Sequence, residues 1–335
     1  MATIKDIAKL ANVSITTVSR VLNGKFDGVS ETTRKRIEKI AGELNYRPNR
    51  LARGLVTKRT NTLGLILPDI TNPFFPQIVR AVEDTANKFG YNLILCNTDD
   101  DSGKERLYIQ VLKEKCVDGI VFTTSTNPSA ENIKQLIDFG IPFVLVDRYI
   151  DIDHLPGVYT DGVSGMYQAV KHLIEMGHEK IAFISGPKQS KTANQRFLGY
   201  VKALEEHGIS VRDGLIKDGN FKMSGGQNAI KDLLACGEDF TAVACANDLM
   251  AVGAMEVLRQ EGIKIPEEIS ITGFDNISLS NVVHPKLTTV EQPSYEMGQK
   301  ATAMLVKLIE GRPLKKNEVV LKPRLIVRDS VAKRG

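Results

Sequence analysis

Two successive series of short apolar runs alternate with amphipathic stretches between residues 63 and 309. The apolar runs predict strands at Leu63–Leu67, Asn92–Cys96, Gly119–Thr123, Phe143–Val146, Lys180–Ser185, Thr241–Ala246 and Ile269–Gly273. The amphipathic stretches predict helices at Pro76–Phe89, Gly103–Lys115, Val163–Met176, Ala193–His207, Met223–Cys236, Leu249–Glu261 and Tyr295–Ile309. Because strands that alternate with helices form parallel sheets, this pattern predicts an α/β protein with two similar doubly wound lobes.

The first sixty residues have a different composition from the rest. They hold 13 Lys and Arg against five Asp and Glu, a net charge of +8, whereas the remaining residues hold 31 against 35, a net charge of −4. A small basic head on a mildly acidic body suggests a polyanion as partner of the head. Charge alone fits a solvated basic helix face equally well, so the pattern within the head must decide.

Three short helices are predicted in the head. Thr3 and Asp6 form a capping-box pattern, while Ser14 and Ser30 are candidate N-caps for a second and a third helix. Apolar residues recur at helical spacing in each segment, and Asn23-Gly24 is a suitable end for the second helix. Two short helices joined by a tight turn and braced by a third form a helix-turn-helix unit, which favours DNA as the polyanion.

The second helix should present its N-terminal part to the DNA major groove. Thr16 can hydrogen-bond a base edge or phosphate, Ile15 can contact a thymine methyl group, and Arg20 can bind guanine in bidentate fashion. Side chains suited to phosphate contacts, which set the register, are Ser14, Thr17, Ser19, Asn23 and Tyr46. Capping and turn formation are the alternative roles of these polar residues.

Four segments carry a family resemblance: Thr3-Ile-Lys-Asp-Ile-Ala, Val13-Ser14, Thr17-Val-Ser-Arg-Val-Leu-Asn23 and Tyr46-Arg-Pro-Asn49. They resemble the lactose/galactose repressor family of transcriptional regulators, and the resemblance extends over essentially the whole chain. It implies a headpiece at 1–47, a hinge helix and linker at 48–60, and an effector-binding and dimerisation domain at 61–335 with the periplasmic-binding-protein fold of type I. The N-lobe would comprise about 61–160 and 291–320, and the C-lobe about 161–290 and 321–330.

In this family the hinge segment, here Asn49–Thr57, becomes helical only on operator DNA. Nine residues are too few for a stable isolated helix, which agrees with that behaviour. The resemblance implies that Leu55 opens a central base step from the minor groove. With the hinge included, the predicted DNA-binding set is Thr3, Ser14, Ile15, Thr16, Thr17, Ser19, Arg20, Asn23, Tyr46, Asn49, Ala52, Arg53 and Leu55.

Ligands of doubly wound sheets bind beyond the carboxyl ends of the strands. Candidate side chains near those ends are Asn72, Phe74, Phe75, Thr124, Asp147, Arg148, Arg196, Phe221, Asn247, Asp275 and Gln292. Aromatic faces suit the C–H faces of a sugar, and arginine donors with carboxylate acceptors satisfy both halves of a hydroxyl group. Plain core packing of the phenylalanines and a structural ion pair for Asp147-Arg148 are the alternatives.

This set resembles the ribose-type branch of the family and the periplasmic sugar-binding proteins. Ten of the eleven positions match that branch; Thr124 departs from it, because asparagine is usual there, and this leaves the exact sugar open. The resemblance predicts a sugar-responsive repressor of a sugar-utilisation operon. Its small-sugar effector would resemble ribose, and a homodimer would bind a palindromic operator. Residues 325–335 carry no heptad pattern, which favours a dimer over a tetramer.

Three other functions predict different sequence features or a different effector. A transport receptor predicts a secretion signal and no basic head, and an enzyme predicts a nucleophile–base pair or a cofactor motif. Within the regulator class, the alternative is a global catabolite regulator whose main effector is a phosphorylated phosphocarrier protein.

No cofactor is expected besides the sugar, and no metal, because the four cysteines show no CxxC spacing and the five histidines no HxxxH pair. The cysteines are interpreted as buried free thiols. The first residues lack a signal-peptide pattern and no apolar run reaches membrane-spanning length, so a cytoplasmic protein without membrane contact is expected.

Overall fold

The computed structural model describes residues 2–46, 59–150 and 152–334. The chain divides into two compact units, Met1–Thr60 and Asn61–Gly335. The predicted hinge contacts Asn49, Ala52, Arg53 and Leu55 lie outside the described residues.

The first unit contains three helices, α1 (Ile4–Leu10), α2 (Ile15–Leu22) and α3 (Glu31–Glu43). Each predicted N-cap accepts a hydrogen bond from the backbone of its own first turn, and Thr3 and Asp6 form the full capping box. Apolar side chains from all three helices form one small core, of which Ile7, Val18 and Ile37 are fully buried. The head is therefore a helix-turn-helix with its own core.

The N-lobe of the second unit holds a six-stranded sheet in the order β11-β5-β4-β3-β1-β2. Its strands are β1 (Thr62–Leu67), β2 (Asn92–Asn97), β3 (Gly119–Phe122), β4 (Phe143–Val146), β5 (Gly157–Thr160) and β11 (Glu318–Leu321). All of its strand pairs are parallel. The helices of this lobe are α4 (Phe75–Lys88), α5 (Ser102–Glu114), α6 (Ala130–Asp138) and α11 (Ser294–Ile309).

The C-lobe holds a second six-stranded sheet in the order β12-β10-β9-β8-β6-β7. Its strands are β6 (Ile181–Ser185), β7 (Ile216–Asp218), β8 (Ala242–Cys245), β9 (Ser270–Asp275), β10 (Thr288–Glu291) and β12 (Arg324–Ile326). Its helices are α7 (Gly162–Glu175), α8 (Lys191–Glu206), α9 (Met223–Ala235) and α10 (Asp248–Gln260). The edge strand β12 pairs antiparallel with β10, so this sheet is mostly rather than wholly parallel.

The predicted fold class is confirmed: a helical head precedes two α/β lobes. The chain passes between the lobes three times, after β5, after β10 and after β11. Five strands (β5, β7, β10, β11 and β12) and helix α6 were not predicted. No helix in the described ranges is long and apolar enough to cross a membrane.

Buried surfaces explain why the lobes form where the apolar runs occur. The strands β3, β4, β6 and β8 are buried along their whole length, as expected for parallel strands covered by helices on both faces. Helices α9 and α10 approach so closely that a Cβ atom on Gly226 would lie 2.0 Å from the Met250 carbonyl oxygen.

Two cysteines differ from the expectation of buried thiols. Cys96 and Cys245 are buried, but Cys116 is exposed and Cys236 is partly exposed; none of the four forms a disulfide. Cys116 lies just after α5 with a φ of 53° and follows the charged residues Lys113, Glu114 and Lys115.

Candidate functional site: an interlobe cleft and a helix-turn-helix surface

A cleft in the second unit contains ten of the eleven predicted ligand residues. Its lining consists of Asn72, Phe74, Phe75, Asp147, Arg148, Thr192, Arg196, Phe221, Asn247, Asp275 and Gln292. The cavity has an empty volume of about 300 Å³ including its mouth. Both lobes contribute residues, so a ligand bound here would contact both.

The segment between β1 and α4 supplies the aromatic part of the cleft. Asn72 Oδ1 accepts a hydrogen bond from the Phe74 backbone N–H at 3.1 Å, which fixes the turn. The Phe74 and Phe75 rings meet edge to face, with centroids 5.2 Å apart. Both side chains are almost fully buried, so they combine core packing with an apolar cleft wall.

Asp147 and Arg148 follow β4, as the strand-end argument predicts. The Asp147 backbone N–H donates to the Val158 carbonyl at 3.0 Å, which ties this turn to β5. Arg148 Nη1 donates to Asp100 Oδ1 at 2.6 Å and to the Thr124 carbonyl oxygen at 3.0 Å. The alternative of an Asp147–Arg148 ion pair therefore does not describe the structure, because the ionic partner of Arg148 is Asp100.

Arg196 projects from α8 and is almost fully buried in the C-lobe half. Nη1 of Arg196 donates to the Ala246 carbonyl oxygen at 2.5 Å, and Nη2 lies 3.5 Å from Asp275 Oδ1. The guanidinium carbon lies 3.9 Å from the centroid of the Phe274 ring, a cation–π contact. The Nε atom has no hydrogen-bond partner among the described residues, so one buried donor remains for a ligand.

Asn247 and Gln292 complete the C-lobe half. The Asn247 amide nitrogen donates to the Phe221 carbonyl oxygen at 2.9 Å, and its Oδ1 caps α10 by accepting from Met250 N–H at 3.0 Å. The Gln292 amide nitrogen donates to Asp275 Oδ1 at 2.7 Å. These bonds fix the polar groups before any ligand arrives.

Three cleft residues have left-handed backbones: φ is 68° at Asp147, 60° at Phe221 and 116° at Asp275. Such conformations are costly for residues other than glycine and concentrate at functional sites. Their presence in one cleft favours a binding role over simple packing.

Burial sets the protonation of the two cleft carboxylates. Burial raises the pKa of Asp147, and the guanidinium groups of Arg148 and Arg196 act in the opposite direction. Burial raises the pKa of Asp275 to about 7; Arg196 lowers it and the nearby Asp147 raises it further. A ligand hydroxyl that donates to Asp275 would favour its ionised form.

Thr124 is the one predicted residue that the cleft lining does not include. Its side chain is buried and its hydroxyl lies 3.4 Å from Glu105 Oε1, so only its carbonyl oxygen reaches Arg148. Sequence reasoning missed Thr192, which lines the cleft with a buried hydroxyl that has no partner in the described part of the chain. Its signal was its position four residues before Arg196, on the same face of α8.

The predicted DNA-binding residues of the head fall into two groups. Ile15, Thr16 and Arg20 are exposed on α2, with Ile15 at 45% exposure, which is high for an isoleucine. The polar residues take the alternative roles in part: Thr3 and Ser14 cap helices, Ser14 Oγ lies 2.8 Å from Thr17 Oγ1, and the Asn23 amide donates to the Ser19 carbonyl. Tyr46 packs partly against the head core.

The described ranges contain no cluster of three or more His, Cys, Asp or Glu side chains that could hold a metal ion.

Comparison with known proteins gives two family matches. Residues 3–49 match the model of bacterial regulatory proteins of the lacI family, and residues 60–329 match periplasmic binding proteins and the sugar-binding domain of the LacI family. The HTH-type transcriptional regulator RegA of Clostridium saccharobutylicum is 42% identical over 98% of this chain and 99% of its own. The ribose operon repressor of Halalkalibacterium halodurans is 40% identical over 98% of this chain and 97% of its own.

Two solved structures extend the comparison. The lac repressor dimer bound to operator and the anti-inducer ONPF is 27% identical, with a TM-score of 0.88 over 99% of each chain. A LacI family regulator from Enterococcus faecium with bound ribose is 33% identical, with a TM-score of 0.74 over 82% of this chain and 100% of the other. The family consists of DNA-binding transcriptional regulators and not of enzymes. The predicted membership is thus confirmed: this chain belongs to the LacI family of transcriptional regulators.

Proposed function

We propose that this protein represses a sugar-utilisation operon, binds a palindromic operator as a homodimer, and is controlled by an uncharged small sugar in the interlobe cleft. The observation that carries this proposal is the convergence of ten predicted ligand residues, from both lobes, on one cleft. The proposed sugar is ribose or a related pentose or hexose. The protein would act in the cytoplasm, where its DNA is.

The chemistry of the cleft supports a sugar. The buried rings of Phe74 and Phe75 offer apolar faces, and the carboxylates of Asp147 and Asp275 offer acceptors for hydroxyl groups. The unpartnered Nε of Arg196 supplies a buried donor. A relative named as a ribose operon repressor and a family member with bound ribose favour a ribose-like ligand.

The exposed face of α2 supports sequence-specific DNA binding. Arg20 is suited to guanine O6 and N7, and Ile15 to a thymine methyl group. One head reads only a half-site, so a palindromic operator needs two heads and therefore a dimer. We propose phosphate contacts for Thr3, Ser14, Thr17, Ser19, Asn23 and Tyr46, and operator contacts for Asn49, Ala52, Arg53 and Leu55 in the hinge segment 48–60.

The location of the cleft between the lobes explains how a bound sugar would control operator affinity. A sugar that bonds to both lobes stabilises one lobe arrangement over others, and operator affinity changes if that arrangement holds the heads differently. The coupling free energy is the difference in operator affinity between the two arrangements, so it can have either sign.

The test is a thermal-shift screen with D-ribose, D-xylose, D-glucose, D-fructose and their phosphate esters, followed by operator binding in the presence and absence of the best sugar. A sugar at a hundredfold excess over its Kd should stabilise the protein by about 2.7 kcal/mol. The operator would be selected from random duplexes and measured at fixed salt. Stabilisation by no sugar would overturn the sugar proposal and favour the predicted alternative, a phosphorylated phosphocarrier protein as main effector.

A further inference from the structure

Asp100 lies outside the cleft lining but is anchored to the loops that follow three strands. It lies in the turn after β2 with a φ of 65°, and its backbone N–H donates to the Pro68 carbonyl oxygen at 3.0 Å. Its Oδ1 accepts from the Thr126 backbone N–H at 2.9 Å, and its Oδ2 accepts from the Thr126 hydroxyl at 2.5 Å. Both carboxylate oxygens are therefore held in place by the N-lobe itself.

This anchored carboxylate holds one corner of Arg148. Nη1 of Arg148 donates to Asp100 Oδ1 at 2.6 Å and to the Thr124 carbonyl at 3.0 Å, which uses both of its N–H groups. The side chains of Arg148 and Asp100 are 11% and 28% exposed, so solvent screens their ion pair only in part. The Nε and Nη2 edge of Arg148 donates no hydrogen bond to the described residues, so this edge can bind a ligand.

The same contact changes the charge that a ligand meets. The cleft lining carries two carboxylates, Asp147 and Asp275, and two guanidinium groups, Arg148 and Arg196. Arg148 already has an acidic partner in Asp100, which lies outside this lining, so its charge is partly compensated before a ligand binds. A phosphate ester bound at the remaining edge of Arg148 would be repelled by the Asp100 carboxylate, whereas a neutral hydroxyl group at the same edge would not be.

We propose that Asp100 is a positioning residue that fixes Arg148 for hydrogen bonding to the ligand and makes the cleft select uncharged sugars over sugar phosphates. This inference rests on the proposed function, because it assumes that the cleft binds a sugar. It goes further by naming a residue outside the cleft that determines the ligand's charge.

The experiment measures Kd by titration calorimetry on the full chain for three pairs of probes: D-ribose and D-ribose 5-phosphate, D-glucose and D-glucose 6-phosphate, D-fructose and D-fructose 6-phosphate. Asp100→Asn keeps the size of the side chain and removes its charge, so the preference for the neutral probe should fall at least fivefold. Asp100→Ala removes the anchor, so affinity for the neutral probe should fall at least tenfold. Asp99→Asn is the matched control, because Asp99 lies in the same turn and outside the cleft lining. It should change neither the affinity for the neutral probe nor the preference for it over the phosphate ester.

The Thr126→Val variant tests the position of the Asp100 carboxylate separately from its charge. It removes the hydroxyl bond to Asp100 Oδ2 without changing any charge, so it should weaken neutral-sugar binding and leave the neutral-to-phosphate ratio unchanged. If Asp100→Ala fails to fold, Thr126→Val still tests whether the anchored position of Asp100 matters for sugar binding.

The possible outcomes distinguish the two proposals. If the parent protein binds a neutral sugar and the Asp100 variants keep its affinity and its preference within twofold, the role of Asp100 is refuted and the sugar-binding function stands. If the parent binds none of the neutral probes, both proposals fail.

Discussion

Replacing Asp275 with asparagine should stabilise the unliganded protein and abolish most of its sugar binding. The Asp275 side chain is 5% exposed, and burial raises its pKa to about 7 from an ordinary value of 3.8. A carboxyl group whose pKa is higher in the folded than in the unfolded chain destabilises the fold once it ionises. The cost is absent below about pH 4, grows as the pH rises, and is complete above about pH 7.

The size of the effect follows from the shift of about three pKa units. At about 1.4 kcal/mol per unit, ionised Asp275 costs up to about 4 kcal/mol at pH 8. Asparagine can keep the hydrogen bond with Gln292 but leaves Arg196 without its carboxylate, so the gain in stability should be smaller than that bound. Sugar binding should weaken by about 1.5–3 kcal/mol, the value of a hydrogen bond to a charged group.

The pH dependence of sugar binding provides an independent check of the same reasoning. With a pKa of about 7, the ionised fraction of Asp275 rises from about one tenth at pH 6 to about nine tenths at pH 8. If the sugar binds the ionised form, its affinity should increase about tenfold over this range in the parent protein and stay constant in Asp275→Asn.

Calorimetric titrations at pH 6, 7 and 8, with urea unfolding at the same pH values, measure both effects. Asp232→Asn, on the exposed side of α9, is the control and should match the parent. The reasoning is refuted if Asp275→Asn is less stable than the parent at pH 8 and the parent's sugar affinity does not change with pH.

Three further predictions concern the head and the packing of the lobes. Arg20→Ala should lose about 1–3 kcal/mol of specific operator binding with an unchanged melting temperature, measured by fluorescence anisotropy; equal affinity would exclude Arg20 from base recognition. Ile37→Ala, at a fully buried site, should destabilise the head by about 2–5 kcal/mol and weaken operator binding, while calorimetry shows sugar binding unchanged. Gly226→Ala should lower the melting temperature of the larger unit, because its Cβ would lie 2.0 Å from the Met250 carbonyl oxygen; a normal melting temperature would contradict that packing.

Most strands that were predicted from sequence are apolar runs buried inside a sheet, although the predicted β2 lies at an edge and the missed β5 is buried. Strands such as Phe143–Val146 are covered on both faces and therefore consist of apolar residues throughout. The missed strands β11 and β12 lie at sheet edges, mix charged with apolar residues, and are partly exposed. Their positions depend on pairing with distant strands, which short-range patterning does not encode.

The cleft residues could be predicted for a related reason. Most of them follow a predicted strand or lie in a helix next to one, and the parallel topology brings those ends together. Phe221 and Gln292 follow β7 and β10, which were not predicted, so these two rested on the family resemblance. What sequence could not give was the direction of single side chains. Thr124 turns away from the cleft because the buried Glu105, from α5, accepts bonds from the Ser125 backbone and the Asn132 amide beside it. This choice depends on residues far away in the sequence.

Gln292 links the ligand site to a connection between the lobes. It follows β10 of the C-lobe sheet and precedes α11 of the N-lobe, and its amide donates to the cleft carboxylate of Asp275. Two residues further on, Ser294 Oγ donates to Gln77 Oε1 at 3.1 Å on α4, the helix that begins at the aromatic cleft wall. A ligand that ionises Asp275 strengthens its bond to Gln292. The charge state of one C-lobe carboxylate is thereby tied to a segment that connects the two lobes, so a sugar that binds Asp275 also acts on this connection.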